Sequence, residues 1–256
     1  MTTETKTVLS AEHIEDFKRD GYVVVRGLYS ADEVAEMVSW TEDLAASPEV
    51  VGLDWKYFEK SAADQSRILS RIENFVPFHD GYGRLITQKR MAEAVSELFG
   101  EEAVLFKDKI NFKLPGGDGF KAHQDVQAGW NTYAPLHITA MVALDATTAE
   151  NGSLEFLAGY HDKGLLGDMW KPLEDAHTDD KPYAALHCAP GDAVFFDSFA
   201  PHKSAPNTTS EARRVLYITY NKRSDGDHRA QYYADKHANY PPDIEREAGR
   251  DYGYKV

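Results

Sequence analysis

Residues 118–125 read Asp118-Gly119-Phe120-Lys121-Ala122-His123-Gln124-Asp125, and residues 198–204 read Ser198-Phe199-Ala200-Pro201-His202-Lys203-Ser204. In an extended strand, residues i and i+2 point to the same side. His123 and Asp125 therefore offer an imidazole nitrogen and a carboxylate oxygen to one space, and His202 supplies a third ligand from a neighbouring strand end. Two histidines and one carboxylate on one face of a metal leave further positions open, the ligand arrangement of non-haem Fe(II) oxygenases. His-x-Asp alone arises by chance, and a histidine beside an acid is equally at home on a surface or in a core. The residues downstream shift the balance.

Arg213 lies eleven residues after His202 and opens the apolar run Val215-Leu216-Tyr217-Ile218-Thr219. A barrel-lining arginine in that place forms a bidentate pair with a carboxylate, as binding of the far carboxylate of 2-oxoglutarate requires. Ser204, two residues past His202, adds a hydroxyl. Arg214 competes for the role, but adjacent strand residues face opposite ways, so only one of the two points inward.

Working outward, residues 103–114 alternate. Lys107, Lys109, Asn111 and Lys113 share one face, and Phe106, Asp108, Ile110, Phe112 and Leu114 the other. The lysine face has two readings: an anion-attracting wall inside a barrel, or a solvated edge where lysine discourages aggregation. Further strands are expected at 137–145, 153–157, 193–197 and 213–221, separated by Pro115-Gly116-Gly117-Asp118-Gly119, Glu150-Asn151-Gly152 and Pro190-Gly191-Asp192. Upstream, Ser10 caps a helix that ends at Asp20-Gly21, and Tyr22-Val23-Val24-Val25 forms a short strand. Ser30 and Glu33 have capping-box spacing for a helix to about Ala46, and another runs from Gln88 to Phe99. Residues 48–85 show no clean period and carry many aromatics, the texture of a lid or binding loop; Arg67 and Arg71 share a face if a piece of it is helical. Helices first and strands afterwards imply a mainly β fold with supporting helices.

The 256 residues carry a net charge of −14, 42% hydrophobic and 12% aromatic residues, and a single cysteine, Cys188. That balance suits one domain (1–100 helical support and lid, 101–222 barrel core, 223–256 tail) and excludes a disulfide framework or a cysteine-rich zinc site. The acidic balance argues against nucleic acid, and no apolar run is long enough for a bilayer. A cytoplasmic protein acting on a small molecule, as monomer or homodimer, is expected.

The chain resembles the phytanoyl-CoA dioxygenase family of Fe(II)/2-oxoglutarate-dependent oxygenases. The resemblance is carried by Asp20-Gly21-Tyr22-Val23-Val24-Val25-Arg26-Gly27, Lys109-Ile110-Asn111-Phe112-Lys113-Leu114-Pro115-Gly116-Gly117, His123-Gln124-Asp125, Glu150-Asn151-Gly152-Ser153-Leu154-Glu155, Gly159-Tyr160-His161, Gly191-Asp192, His202, Ser204 and Arg213. It implies a double-stranded β-helix (a jelly-roll, cupin-like barrel) with Fe(II) on His123, Asp125 and His202. It also implies 2-oxoglutarate on Arg213 and Ser204, with Thr139 as a further candidate, and one strand lysine, Lys109, serving the same co-substrate. The implied reaction hydroxylates a C–H bond with O2 while 2-oxoglutarate becomes succinate and CO2; ascorbate is the usual reductant in vitro. Lys107, Asn111, Gln127, Trp130, Asn131, Tyr133 and Arg71 are the candidates for substrate. The aromatics serve either as a wall, able to hold an amine by cation–π attraction, or as loop packing. The segments around Lys109 and His123 look similar to those of small organophosphonate hydroxylases, so a 2-aminoethylphosphonate-type compound or a quaternary-amine analogue is favoured. A natural product (polyketide, terpenoid or alkaloid) or an acyl-CoA is the alternative within the family. Outside it stand a non-catalytic binding barrel and a zinc hydrolase, the latter leaving Arg213 without a role.

Overall fold

A computed structural model describes residues 7–87, 90–250 and 252. The expected helix start at Gln88 and the first six residues lie outside the described residues. The helices are α1 Ala11–Asp20, α2 Ala31–Ala46, α3 Asp80–Thr87, α4 Arg90–Phe99 and α5 Arg229–Asn239. The strands are β1 Tyr22–Val25, β2 Trp55–Lys60, β3 Arg67–Glu73, β4 Ala103–Lys113, β5 Phe120–His123, β6 His137–Ala143, β7 Leu154–Phe156, β8 Ala184–Ala185, β9 Ala193–Asp197, β10 His202–Ser204 and β11 Arg213–Lys222.

The strands form two antiparallel sheets, β1-β9-β6-β11-β4-β3-β2 and β5-β10-β7-β8, facing each other as a jelly roll. Both capping boxes form: Ser10 accepts from His13 N, and Ser30 from Glu33 N. One face of the large sheet packs on the helices through residues such as Ile110, Ile138, Phe195, Leu216 and Ile218. The other face looks into the barrel and carries the site.

The segment 48–85 is not an irregular loop. It supplies β2 and β3, which extend the large sheet beyond β4, then a 3-10 turn and α3. Both faces of much of β2 and β3 are covered, and a bulge falls between Tyr57 and Phe58, so no clean alternation survives in the sequence. Arg67 and Arg71 are strand residues, not helical neighbours. A second bulge, at Thr219/Tyr220 opposite β4, shifts the register after Lys107. It turns Phe106 away from the helix-packing face and against Trp130 and Tyr232.

Candidate active site

β10 pairs with β5 so that His202 stands directly opposite His123. β5 ends at His123, and Asp125 begins a 3-10 turn, Asp125–Ala128. The carboxylate therefore reaches the imidazoles from a turn rather than by strand alternation. One ligand atom from each of His123, Asp125 and His202 lies within 4.8 Å of the others. Asp125 Oδ1 is 3.8 Å from His123 Nε2 and 3.9 Å from His202 Nε2.

The backbone fixes the rings. His123 Nδ1 sits 2.7 Å from the Lys121 carbonyl and His202 Nδ1 3.0 Å from that of Ala200, which directs both Nε2 atoms inward. Burial and the neighbouring His202 press His123 down to about 4, and burial lowers His202 as well, so both are neutral ligands at neutral pH. Burial alone would raise Asp125, but His202 and His123 hold it below the ordinary range. The donor set fits a divalent metal with positions left open.

Deeper along β11, Arg213 is 1% exposed, and its Nε and Nη1 have no hydrogen-bond partner among the described residues. Arg214 faces outward to Asp145 and Glu42. Arg213 stands opposite Lys113 in the register. Lys113 Nζ lies 2.8 Å from Ser204 Oγ and also bonds the Ala205 carbonyl. Gly152 permits this approach: a Cβ there would fall 2.1 Å from the Ala205 oxygen and 2.8 Å from Lys113 Nζ. Burial and then Arg213 press Lys113 down to about 7, the mark of two cations sharing one pocket. A guanidinium with orphaned donors beside an ammonium and a hydroxyl fits a carboxylate of a co-substrate.

Above this pocket a cavity of about 520 Å³ is lined by the triad and by Lys107, Lys109, Asn111, Trp130, Tyr133 and Thr139. Thr139 Oγ1 lies 2.9 Å from Thr219 Oγ1. Lys109 Nζ stands 4.7 Å from the Tyr217 ring centroid, and Lys107 Nζ 5.4 Å from that of Trp130. The lysine face of β4 thus looks inward.

Three candidates are corrected. Gln127 is fully buried beside the cavity, with its amide spent on the carbonyls of Asp168 and Lys171 and the backbone N–H of Gln124. Asn131 is exposed and does not line the cavity. Arg71 lines an adjoining cavity of about 450 Å³ and bonds Glu73 at 2.9 Å. Sequence reasoning missed Glu73, Trp170, Asp235 and Lys236. Glu73 is 1% exposed and receives Arg71, Lys107 at 3.8 Å and Lys236. Burial would raise its carboxyl, but Lys107, Lys236 and Arg71 together hold it well below the carboxylate range. Tyr232 of α5 and Tyr240 just beyond it also line the cavity. Tyr233 and Arg229 of the same helix grip buried Asp108.

A jelly roll with an inward His-Asp-His set and a buried arginine one strand away is the architecture of the Fe(II)/2-oxoglutarate-dependent oxygenases. Within that class the chain belongs to the phytanoyl-CoA dioxygenase family, whose sequence pattern matches residues 17–215. It is 40% identical over 246 residues to 2-aminoethylphosphonate dioxygenase of an uncultured bacterium, covering 94% of this chain and 92% of that protein. It is 37% identical over 235 residues to methylphosphonate hydroxylase of Gimesia maris, covering 91% and 89%. The crystal structure of EctD from S. alaskensis with bound Fe has a TM-score of 0.73 at 25% identity, covering 86% of this chain and 79% of that one. The protein is therefore an oxidoreductase that uses iron, 2-oxoglutarate and O2 on a small molecule. Among the described residues no helix is long and apolar enough to cross a membrane.

Proposed function

We propose that the protein hydroxylates a C–H bond of a small organophosphonate. The observation that carries this reading is the row Lys107-Lys109-Asn111 on one wall of the cavity, joined by Lys236, beside the His-Asp-His set. A chain of net charge −14 places these cations inside, where a low dielectric strengthens their pull on an anion. Resemblance to two phosphonate oxygenases supports the same class of substrate.

In this reading His123, Asp125 and His202 hold Fe(II), which with 2-oxoglutarate and O2 supplies the oxidising power that breaks the C–H bond. Arg213 forks onto the far carboxylate of 2-oxoglutarate, with Ser204 beside it and Lys113 sharing the charge. Thr139 and Lys109, which line the same cavity, steady the rest of the co-substrate. Lys107 and Asn111 meet the phosphonate oxygens. Trp130 and Tyr133 wall the cavity and exclude water from the reacting carbon. The same reading places the protein in the cytoplasm, as a monomer or homodimer working on a free small molecule rather than on nucleic acid or a membrane.

The test is succinate release with Fe(II), 2-oxoglutarate and ascorbate across aminophosphonates, alkylphosphonates, quaternary amines, amino acids and acyl-CoAs. A phosphonate should stimulate release above the substrate-free rate and appear as its hydroxylated product. Stimulation confined to another class refutes the assignment.

A further inference from the structure

Two adjacent residues of α5 send their charges to different places. Lys236 reaches inward to Glu73. Asp235 turns to the cavity, where its Oδ2 accepts from Tyr133 Oη at 2.7 Å and its Oδ1 from Gln231 Nε2 at 2.8 Å. Both donors are neutral, and among the described residues no lysine or arginine pairs with Asp235. Of the described residues lining the cavity, Asp125 and Asp235 are the ones that carry carboxylates. Asp125 belongs to the metal-ligating set, so Asp235 is the anionic group left to face a substrate. The rings of Trp130, Tyr133, Trp170 and Tyr232 line the same cavity. A carboxylate in an aromatic-lined cavity is a setting for an ammonium group, by charge and by cation–π attraction together. Lys107, Lys109 and Lys236 line the cavity as well, with Lys107 Nζ 5.4 Å from the Trp130 ring centroid and 5.8 Å from that of Tyr232. The cavity thus carries both signs, ammonium groups from β4 and Lys236 and a carboxylate from Asp235.

We propose that Asp235 is a specificity-determining residue that receives the ammonium end of a zwitterionic aminophosphonate, while Lys107 and Asn111 meet its phosphonate end. This rests on the phosphonate reading above and deepens it by adding the second charge. Tyr133 acts as a positioning residue, its hydroxyl holding the carboxylate in place. The wall aromatics then serve as recognition surface rather than as loop packing.

The experiment compares 2-aminoethylphosphonate with methylphosphonate, which has the anion and lacks the amine. Succinate release and hydroxylated product are followed for wild type, Asp235→Asn and Tyr133→Phe. Wild type should prefer the aminophosphonate. In Asp235→Asn the ratio of kcat/KM, aminophosphonate over methylphosphonate, should fall tenfold or more, carried by KM for the aminophosphonate. Tyr133→Phe should move the ratio the same way by a smaller factor. An active wild type whose ratio is unchanged in Asp235→Asn, or which prefers methylphosphonate, overturns the assignment of Asp235 and leaves the phosphonate reading standing. A wild type that turns over neither phosphonate overturns both.

Discussion

Arg213→Met separates a binding role from a structural one, because the two roles predict changes of opposite sign. Arg213 is buried with two guanidinium nitrogens lacking hydrogen-bond partners among the described residues, and the charge opposite it in the register is another cation, Lys113. As a structural element it is a poor one. Burying an ion costs several kcal/mol of desolvation, and an apolar side chain of similar volume removes that penalty where no counter-ion repays it. The protein without metal or co-substrate should therefore melt no lower as the variant, and higher by about 2–4 °C for each kcal/mol gained. Binding should move the other way. Two charge-assisted hydrogen bonds at about 1.5–3 kcal/mol each amount to about 3–6 kcal/mol. At about 1.4 kcal/mol per tenfold, the dissociation constant for 2-oxoglutarate should rise by about 10²- to 10⁴-fold. The assay is a thermal-melt titration with 2-oxoglutarate. Wild type gains about 2.7 kcal/mol at a hundred times its Kd, and the variant gains at most about 0.4 kcal/mol at that concentration. A variant that melts several degrees lower yet binds 2-oxoglutarate within about threefold of wild type would refute the role and make Arg213 a core strut.

His123→Ala, Asp125→Ala and His202→Ala should each abolish succinate formation and weaken Fe(II) binding in a direct metal titration; near-wild-type turnover in any of them would mean that residue is not a ligand. His137 is buried against Phe106 and Trp130, and burial presses it from 6.5 down to about 3. The unfolded chain thus takes up a proton below about pH 6.5 that the folded chain refuses until about pH 3, so this histidine erodes stability as pH falls, by up to about 1.4 kcal/mol per unit. His137→Phe should flatten the stability profile between pH 4 and 6.5 measured by urea unfolding, and parallel profiles would count against it. Asp108 accepts from the backbone of Phe75 and Val76 and from Tyr233 and pairs with Arg229 at 2.5 Å. Asp108→Asn should cost about 3–5 kcal/mol, since it leaves a buried arginine unmatched, and a loss below 1 kcal/mol would show that α5 is held by its aromatics instead.

What the sequence disclosed follows the range of the interactions involved. Alternation along β4 placed Lys107, Lys109 and Asn111 on the cavity side, because a period of two is a local property of the strand. The triad was legible because two of its members lie two residues apart, although Asp125 reaches the site from a turn. Parity showed that only one of Arg213 and Arg214 points inward, and the family resemblance named Arg213. Where the signal failed, the structure is non-local or locally broken. β2 and β3 lost their pattern to burial on both faces and a bulge. Gln127 was read as a donor to substrate because it follows the motif, but its amide is consumed by loop carbonyls more than forty residues away. Asp235 and Lys236 sit on α5, in a stretch that reads in the sequence only as a tail. Its place over the cavity is set by the grip of Arg229 and Tyr233 on Asp108, over a hundred residues upstream.

The buried Glu73 explains how three cations can crowd one end of the barrel without unfolding it. A lone ammonium in that position would shed its proton, since desolvation disfavours the charged form. One carboxylate placed among Arg71, Lys107 and Lys236 offsets part of that penalty. The lysines that line the cavity are what an incoming anion meets. The net charge of −14 does not cancel this attraction. Exposed charges are screened over about 10 Å at 0.1 M salt, whereas groups inside a walled cavity are screened much less. Removing Glu73 would therefore damage the site more than removing any single lysine, because all three cations lose their shared counter-charge at once.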